Sequence, residues 1–257
     1  PRLLRWMPRF LLRYLKKKIH QDESNRVLEE NEGKDGYEFS KYLVDHLEMK
    51  VITQGLENIP KEGGAIIVCN HPLGGMDAIC IITEVYPIRP DLKFVVNDLL
   101  LQLDNLKDLF VGVNKHGSNT KEALKELNEV YESDGLTFVF PAGLVSRRKK
   151  GLVRDLEWKK TFVTRAKKLG QPVIPVYLDG ELTNFFYRLS NFRTRIGVKA
   201  NLEMFYLVDE LFKQRGKTLN IIFGDAISPQ TFDSSKKDIE WAQWVKEEVY
   251  KLEQKLA

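Results

Sequence analysis

The residues best suited to chemistry are a histidine and an aspartate six positions apart, His71 and Asp77. They follow an apolar segment at residues 65–69 that predicts a buried strand, and Gly74 and Gly75 lie between them. A histidine that acts as a general base needs one ring nitrogen free for the substrate proton and a carboxylate on the other nitrogen to orient the ring. Because the glycines allow the chain to fold back, we predict that Asp77 supplies this carboxylate. The simpler alternative is that Asp77 caps the next helix and His71 is an ordinary turn residue.

A second polar segment follows another predicted strand, at residues 136–140. A proline–alanine–glycine turn comes next, and a serine then precedes four consecutive bases at residues 147–150. Arginine side chains bind phosphate and carboxylate through paired N–H groups, and the backbone amides of a tight turn add donors. The segment therefore predicts an anion site, unless its charges merely cover a solvated surface loop. The residues that we expect to bind substrate here are Pro141, Gly143, Ser146, Arg147 and Arg148.

The surrounding sequence alternates between strand and helix patterns, which is typical of an α/β domain. The predicted strands are residues 49–54, 65–69, 92–96, 109–113, 136–140, 173–178 and 219–223. The predicted helices cover residues 37–48, 120–132 and 155–169, a segment from about residue 77, and part of residues 235–256. We expect residues 45–257 to form a single domain, because this length supports one substantial core and no linker divides it. In open sheets of this class, sites lie outside the carboxyl ends of the strands, where His71 falls.

The N-terminal region, residues 1–44, differs from the rest of the chain. Residues 1–19 hold seven bases and no acid, and apolar side chains recur among them at spacings of three and four. This pattern predicts a basic amphipathic helix, which would suit the surface of an anionic membrane. The alternative is that the helix packs its apolar face on the core of the protein itself.

The composition indicates which classes of protein and which locations we expect to exclude. No apolar run approaches the roughly 18 residues of a membrane-spanning helix, so we expect any membrane contact to be peripheral. Cys69 and Cys80 lack the spacing of a disulfide framework or a metal site, and no signal-peptide pattern is present. The four histidines do not pair at ligand spacing, so we expect no metal. The expected location is cytoplasmic, on the inner face of the cell membrane, and no bound cofactor is expected.

Three segments together resemble a known family. The segments are Asn70-His71-Pro72-Leu73-Gly74-Gly75-Met76-Asp77, Phe140-Pro141-Ala142-Gly143 and Val173-Ile174-Pro175-Val176. In order and spacing they are similar to the glycerolipid acyltransferase family, of the lysophosphatidic acid type, over roughly residues 45–225. Within that family the sequence looks most like a bacterial branch described as hemolysins or ornithine-lipid-type acyltransferases.

The resemblance implies a mixed sheet flanked by helices and a role for individual residues. It makes His71 the base and Asp77 its partner, although five residues separate them where the family usually has four. It places Asn70 and Lys115 at the substrate, and Pro175 beside an acyl tunnel. Ala142 replaces the family's usual glutamate. A lyso-aminolipid acceptor, such as lyso-ornithine or lyso-glycine lipid, is therefore the main alternative to a lysophosphatidate-like acceptor.

The expected reaction is acyl transfer without a covalent acyl-enzyme. Neutral His71 would take the proton of a lysolipid hydroxyl as that oxygen attacks the thioester of an acyl carrier protein or coenzyme A. Backbone amides near Gly74, Gly75 or Gly143 would stabilise the oxyanion. A serine hydrolase is disfavoured because no G-x-S-x-G motif occurs. A non-catalytic protein that binds lipid or nucleic acid would explain the basic N-terminus but not the His–turn–Asp segment, and we expect no nucleic-acid partner.

Overall fold

The computed structural model describes residues 8–113 and 120–256, except for the side chains of residues 98 and 99. Its strands are β1 (Lys50–Gln54), β2 (Ala65–Cys69), β3 (Leu92–Asn97), β4 (Phe110–Val113), β5 (Leu136–Val139), β6 (Arg147–Lys149), β7 (Leu152–Arg154), β8 (Val173–Asp179) and β9 (Thr218–Phe223). Its α-helices are α1 (Arg9–Lys18), α2 (Gln21–Glu30), α3 (Gly36–His46), α4 (Gly75–Val85), α5 (Lys121–Glu132), α6 (Thr161–Leu169), α7 (Asn184–Arg195), α8 (Leu207–Phe212) and α9 (Asp238–Lys251). A 3-10 helix, Leu202–Tyr206, precedes α8.

Seven of these strands form one mixed sheet in the order β1-β9-β8-β2-β5-β3-β4. All neighbouring strands are parallel except β8 and β9, which are antiparallel. The predicted α/β class with a mixed sheet is therefore confirmed. Because β8, β2, β5, β3 and β4 run in one direction, the segments that follow them emerge at the same edge of the sheet.

The central strand β2 explains why the sheet has helices on both faces. All five of its residues are buried. Ile67 and Cys69 belong to the core cluster that includes α3 and α4, whereas Ile66 and Val68 belong to the cluster that includes α6 and α9. Side chains alternate across a strand, so a continuous apolar run such as this one fills both layers.

One predicted helix begins later than expected, one predicted loop forms a hairpin, and three helices were not predicted. The helix predicted over residues 155–169 begins only at Thr161, because residues 155–159 run beside the site instead. The bases predicted to lie on a loop start a hairpin, in which β6 pairs antiparallel with β7 and the turn has positive φ at Lys150 and Gly151. The sequence patterns also did not predict α2, α7 or α8.

The helix α1 lies against the segment around α8. The Tyr14 hydroxyl is 2.9 Å from the Tyr206 hydroxyl, and Lys18 forms an ion pair with Asp209 at 3.1 Å. None of the ten α1 residues, all of which the structure describes, is buried. The predicted helix therefore forms from residue 9 onward, and its apolar side chains do not enter the core.

The division into residues 1–44 and 45–257 remains a prediction. Over residues 8–113 and 120–256, no helix combines the length and the apolar character that crossing a bilayer requires.

Candidate active site

His71 and Asp77 form a hydrogen-bonded pair just beyond the carboxyl end of β2. Nδ1 of His71 lies 2.9 Å from Oδ2 of Asp77. The Asp77 side chain is fully buried, whereas the His71 side chain keeps 18% of its exposure. Because a carboxylate only accepts hydrogen bonds, Nδ1 donates and Nε2 is the nitrogen left to accept a proton. Nε2 has no partner among the residues that the structure describes. This is the arrangement that a general base requires, and the catalytic role of the pair remains a prediction.

The turn between the pair depends on Gly74. Its φ of 72° and ψ of −131° lie in a region that only glycine adopts readily. Gly74 is the N-cap of α4, and Asp77 lies in the first helical turn with its carboxylate directed back along the chain. That carboxylate also accepts the backbone N–H of Leu73 at 3.0 Å. Gly74, and not Asp77, is therefore the N-cap residue of the helix, and the turn accommodates the fifth intervening residue.

The buried environment affects the ionisation of Asp77. Burial raises the pKa of this carboxyl above its usual range, while hydrogen bonds from His71 and Leu73 oppose the rise by stabilising the charged form. The N–H groups of Gly75 and Met76, in the first turn of α4, have no backbone acceptor in the described part of the chain. They remain candidates to stabilise an oxyanion.

The segment after β5 contributes an aromatic wall to the site. The Phe140 ring stacks on the His71 imidazole, with centroids 4.3 Å apart and an angle of 27° between the planes. Gly143 has φ of 63° and its N–H donates to the Phe140 carbonyl at 2.9 Å. The buried Pro141 accepts a hydrogen bond from the backbone N–H of Lys159. The expected use of the Gly143 amide as an oxyanion donor is therefore not supported, because that amide closes its own turn.

Asp155 belongs to the site although the sequence did not point to it. Its buried carboxylate accepts the backbone N–H of His71 at 3.2 Å, the Ser146 hydroxyl at 2.5 Å and the Trp158 indole N–H at 2.8 Å. Its own backbone N–H donates to the Tyr250 hydroxyl at 2.7 Å. Burial raises the pKa of Asp155, and the hydrogen bonds from Ser146 and Trp158 oppose the rise. Asp155 thus holds the backbone of His71, as Asp77 holds its ring.

Two residues expected to bind substrate are occupied within the protein. The Ser146 hydroxyl donates to Asp155, and the Ser146 backbone N–H donates to the His71 carbonyl at 2.8 Å. The Asn70 amide donates to the Leu178 carbonyl at 2.9 Å and accepts the Leu178 N–H at 2.7 Å. Both side chains are buried. They join the strand ends to their neighbours, and their contact with substrate remains a prediction.

The two arginines of the predicted anion site also have partners within the protein, and their binding of substrate remains a prediction. Arg147 is buried and its guanidinium forms an ion pair with the fully buried Glu203 at 2.8 Å. Arg193 contacts the same carboxylate at 2.7 Å. Arg148 lies nearer the surface and pairs with Glu181 at 2.6 Å. The two arginines predicted to bind an anionic group are thus paired with carboxylates of the chain itself, and a sequence pattern cannot reveal partners 56 and 33 residues away.

The remaining predicted residues have different outcomes. Lys115 lies outside the described residues. Pro175 is buried in β8 next to Val68 of β2, and its place in an acyl tunnel remains a prediction. Among residues 8–113 and 120–256, no three His, Cys, Asp or Glu side chains are grouped so that they could hold a metal ion.

The chain resembles several known proteins over nearly its whole length. A family model described as acyltransferase matches residues 1–257. A lyso-glycine lipid O-acyltransferase of Bacteroides thetaiotaomicron is 43% identical over 255 residues, which cover 98% of this chain and 93% of that protein. A protein of the same name from Phocaeicola vulgatus is 41% identical over 251 residues, covering 96% of this chain and 89% of that protein. The solved structure of the 1-acyl-sn-glycerophosphate acyltransferase PlsC from Thermotoga maritima matches with a TM-score of 0.49 at 21% identity, over 93% of this chain and 95% of that one.

Proposed function

Since this chain belongs to the acyltransferase family, we propose that it transfers a fatty acyl group to the hydroxyl of a lysolipid of the lyso-glycine lipid type. The family and the two relatives confirm the expected acyltransferase activity. The names of those relatives support the lyso-aminolipid alternative better than the lysophosphatidate-like acceptor. The observation that carries the reaction is the His71–Asp77 pair, with Nδ1 held at 2.9 Å and Nε2 left to accept a proton.

The reaction proceeds in two stages at His71. Nε2 takes the proton of the acceptor hydroxyl while the hydroxyl oxygen forms a bond to the carbonyl carbon of the donor thioester. Asp77 stabilises the imidazolium, and the first-turn amides of α4 are placed to stabilise the oxyanion. The tetrahedral intermediate then collapses, the C–S bond breaks, and the imidazolium returns its proton to the leaving sulfur. The products are an ester and a free thiol.

The donor is a thioester of acyl carrier protein or coenzyme A, both of which carry phosphate. An open groove of about 580 Å³ near the Phe140 turn is lined by Lys159, Lys160 and Lys237 and by one acid, Asp238, and this excess of positive charge supports an anionic donor. The Lys159 ammonium lies 3.7 Å from the position that a Cβ would occupy at Gly143. Positive charge at this place attracts an anionic donor to the turn that follows β5.

The enzyme works on the inner, cytoplasmic face of the cell membrane as a peripheral protein. The surface of α1 supports this, because Phe10 is 75% exposed and three lysines form the last helical turn. A basic helix with exposed apolar side chains is suited to the interface of an anionic bilayer. The same helix is joined to the rest of the protein through Tyr14 and Lys18.

The proposal is tested by acyl transfer from labelled acyl carrier protein to a panel of lysolipids. Wild type is expected to label lyso-glycine lipid in preference to lysophosphatidate, and His71→Ala to lose about 10²–10⁴-fold in rate. His46→Ala is the matched control, since its side chain is about as buried as that of His71 (16% against 18% exposed) and its Nε2 lies 3.0 Å from a carboxylate, that of Glu23, but it lies at the end of α3 and not in the site. Equal rates for wild type and His71→Ala would refute the mechanism, and preference for lysophosphatidate would refute the proposed acceptor.

A further inference from the structure

The helix α7 exposes an apolar stripe to solvent. Its inner face is buried through Phe186 and Tyr187. On the outer face, Phe185, Phe192 and Ile196 are 47%, 60% and 56% exposed. With Leu189, which is partly buried, they follow spacings of four, three and four that align side chains along one side of a helix. Grouped apolar side chains on a surface indicate a site of interaction.

The residues after α7 extend this stripe toward α1. Phe205 is 68% exposed, and Leu202 and Val208 are also exposed. The Phe185 ring packs edge-on against the Tyr206 ring with centroids 4.9 Å apart. The Tyr206 hydroxyl in turn contacts Tyr14 of α1. We call the exposed apolar side chains of residues 185–208 the α7 surface, and it adjoins the exposed apolar side of α1.

The charges around the α7 surface identify the kind of partner. Residues 182–202 contain four bases and no acid. Arg188, Arg195 and Lys199 are exposed beside the apolar stripe, whereas Arg193 is used in the pair with Glu203. Exposed phenylalanines flanked by arginine and lysine are the composition of helices that lie in the interface of an anionic bilayer.

A buried ion network holds the α7 surface in place next to the site. Glu203 accepts hydrogen bonds from Arg147 of β6, from Arg193 of α7 and from Ser190 of α7. The Leu207 side chain, at the start of α8, lies 3.6 Å from the position of a Cβ at Gly74, the glycine that begins the helix of Asp77. The surface is therefore fixed to the segment that positions the base.

From this geometry we infer that the α7 surface is a second membrane-binding element, which inserts into an anionic bilayer beside α1 and sets the active site against the lipid from which the acceptor comes. The inference rests on the proposal that the enzyme takes its acceptor from a membrane. It adds that α1 is not sufficient for binding, and that the outward face of α7 contributes comparably.

The test is binding of the full chain to vesicles of phosphatidylcholine with and without phosphatidylglycerol. The double variant Phe192→Ser/Ile196→Ser is expected to bind vesicles that contain phosphatidylglycerol at least about tenfold more weakly than wild type. Arg188→Gln/Arg195→Gln should weaken binding to those vesicles by roughly fivefold per charge, and should leave binding to pure phosphatidylcholine unchanged. The matched control is Ile88→Ser/Leu124→Ser, which removes side chains that are 50% and 44% exposed but lie outside the α7 surface.

A second variant tests the α7 surface without changing the helix α7 itself. Phe205→Ser lies outside that helix and is expected to weaken binding to the same vesicles by several-fold while the melting temperature stays at the wild-type value. Each variant is also assayed with acceptor dispersed in detergent, where wild-type rates are expected because no bilayer is needed.

The outcomes separate this inference from the proposed function. If wild type binds vesicles and the Phe192/Ile196 and Phe205 variants bind equally well, the α7 surface is not a membrane element, and the proposed function stands. If lipid-free wild type self-associates and these variants are monomeric, the surface is an interface between copies and the inference is overturned. If wild type binds no vesicles, both the inference and the membrane location fail, whereas acyl transfer in detergent still tests the reaction.

Discussion

The substitution Asp155→Asn is expected to lower kcat by about 10- to 100-fold. The reason is that Asp155 holds the backbone of His71, whereas Asp77 holds the ring. A displacement of the base on the order of 1 Å costs on the order of 10²-fold in rate. The ring keeps its own carboxylate, Asp77. Asp155 is thus a positioning residue.

The substitution Asp155→Asn is also expected to lower the free energy of unfolding, because of the donors around the carboxylate. The Asp155 oxygens accept from the Ser146 hydroxyl, the Trp158 indole and the His71 backbone, and none of these contacts exceeds 3.2 Å. An asparagine has one accepting oxygen, so its NH₂ group must face either the indole N–H or the His71 N–H. Neither of these N–H groups can accept a hydrogen bond, so the one that faces the NH₂ group is buried without a partner. The expected loss in the free energy of unfolding is about 1–3 kcal/mol.

The assay must distinguish positioning from general loss of stability. We would measure kcat and KM across pH at a temperature where the variant is fully folded, and compare Asp155→Asn with Tyr250→Phe. Tyr250→Phe removes the acceptor of the Asp155 backbone N–H and is expected to be similarly destabilising, but it does not contact His71. If kcat falls equally in both variants, or in neither, the positioning role is refuted.

Two further predictions concern buried charges outside the base. Arg147→Gln should lower the free energy of unfolding by about 1–3 kcal/mol in urea denaturation, because it removes one of two arginines from the fully buried Glu203 carboxylate and leaves Arg193 to hold it. Arg148→Gln, from a pair nearer the surface, should lower it by less than about 1 kcal/mol. Equal effects would show that the Arg147 pair is not buried in solution. Burial would raise the pKa of Asp209, but hydrogen bonds from Lys213 and His20 outweigh it and bring the pKa from 3.8 to about 2. Because its pKa is lower in the folded state, ionised Asp209 stabilises the fold at pH values above its unfolded pKa. Asp209→Asn should therefore lower the free energy of unfolding by about 2 kcal/mol at neutral pH. This difference should disappear as the pH falls toward 2, and urea denaturation at a series of pH values would detect it.

The sequence was sufficient to predict those parts of the site in which residues close together in the chain contact one another. The apolar run that became β2 predicted a buried strand, and the two glycines after His71 predicted a turn that returns Asp77 to it. Both inferences use neighbours within about a dozen residues, where the backbone restricts what is possible. The strand ends could be placed at one edge because parallel strands connected by helices share a direction.

The rest depended on contacts between distant segments. Arg147 and Arg148 resembled an anion site because their partners, Glu203 and Glu181, lie far along the chain. Asp155 stood at the start of a predicted helix, where an aspartate is usually a cap. For α7, periodicity reveals that apolar residues share a stripe but not whether that stripe faces the core or solvent.

The ion network around Glu203 connects the surface of the protein to its base. Arg147 is the residue after Ser146, and the Ser146 backbone N–H is bonded to the His71 carbonyl. Arg147 and Arg193 meet on one buried carboxylate, so α7 and the segment beside His71 are tied together by charged contacts that are screened little by salt. If α7 binds a bilayer as we infer, its orientation there also determines the orientation of His71. The distance of the base from the lipid is then a property of the fold.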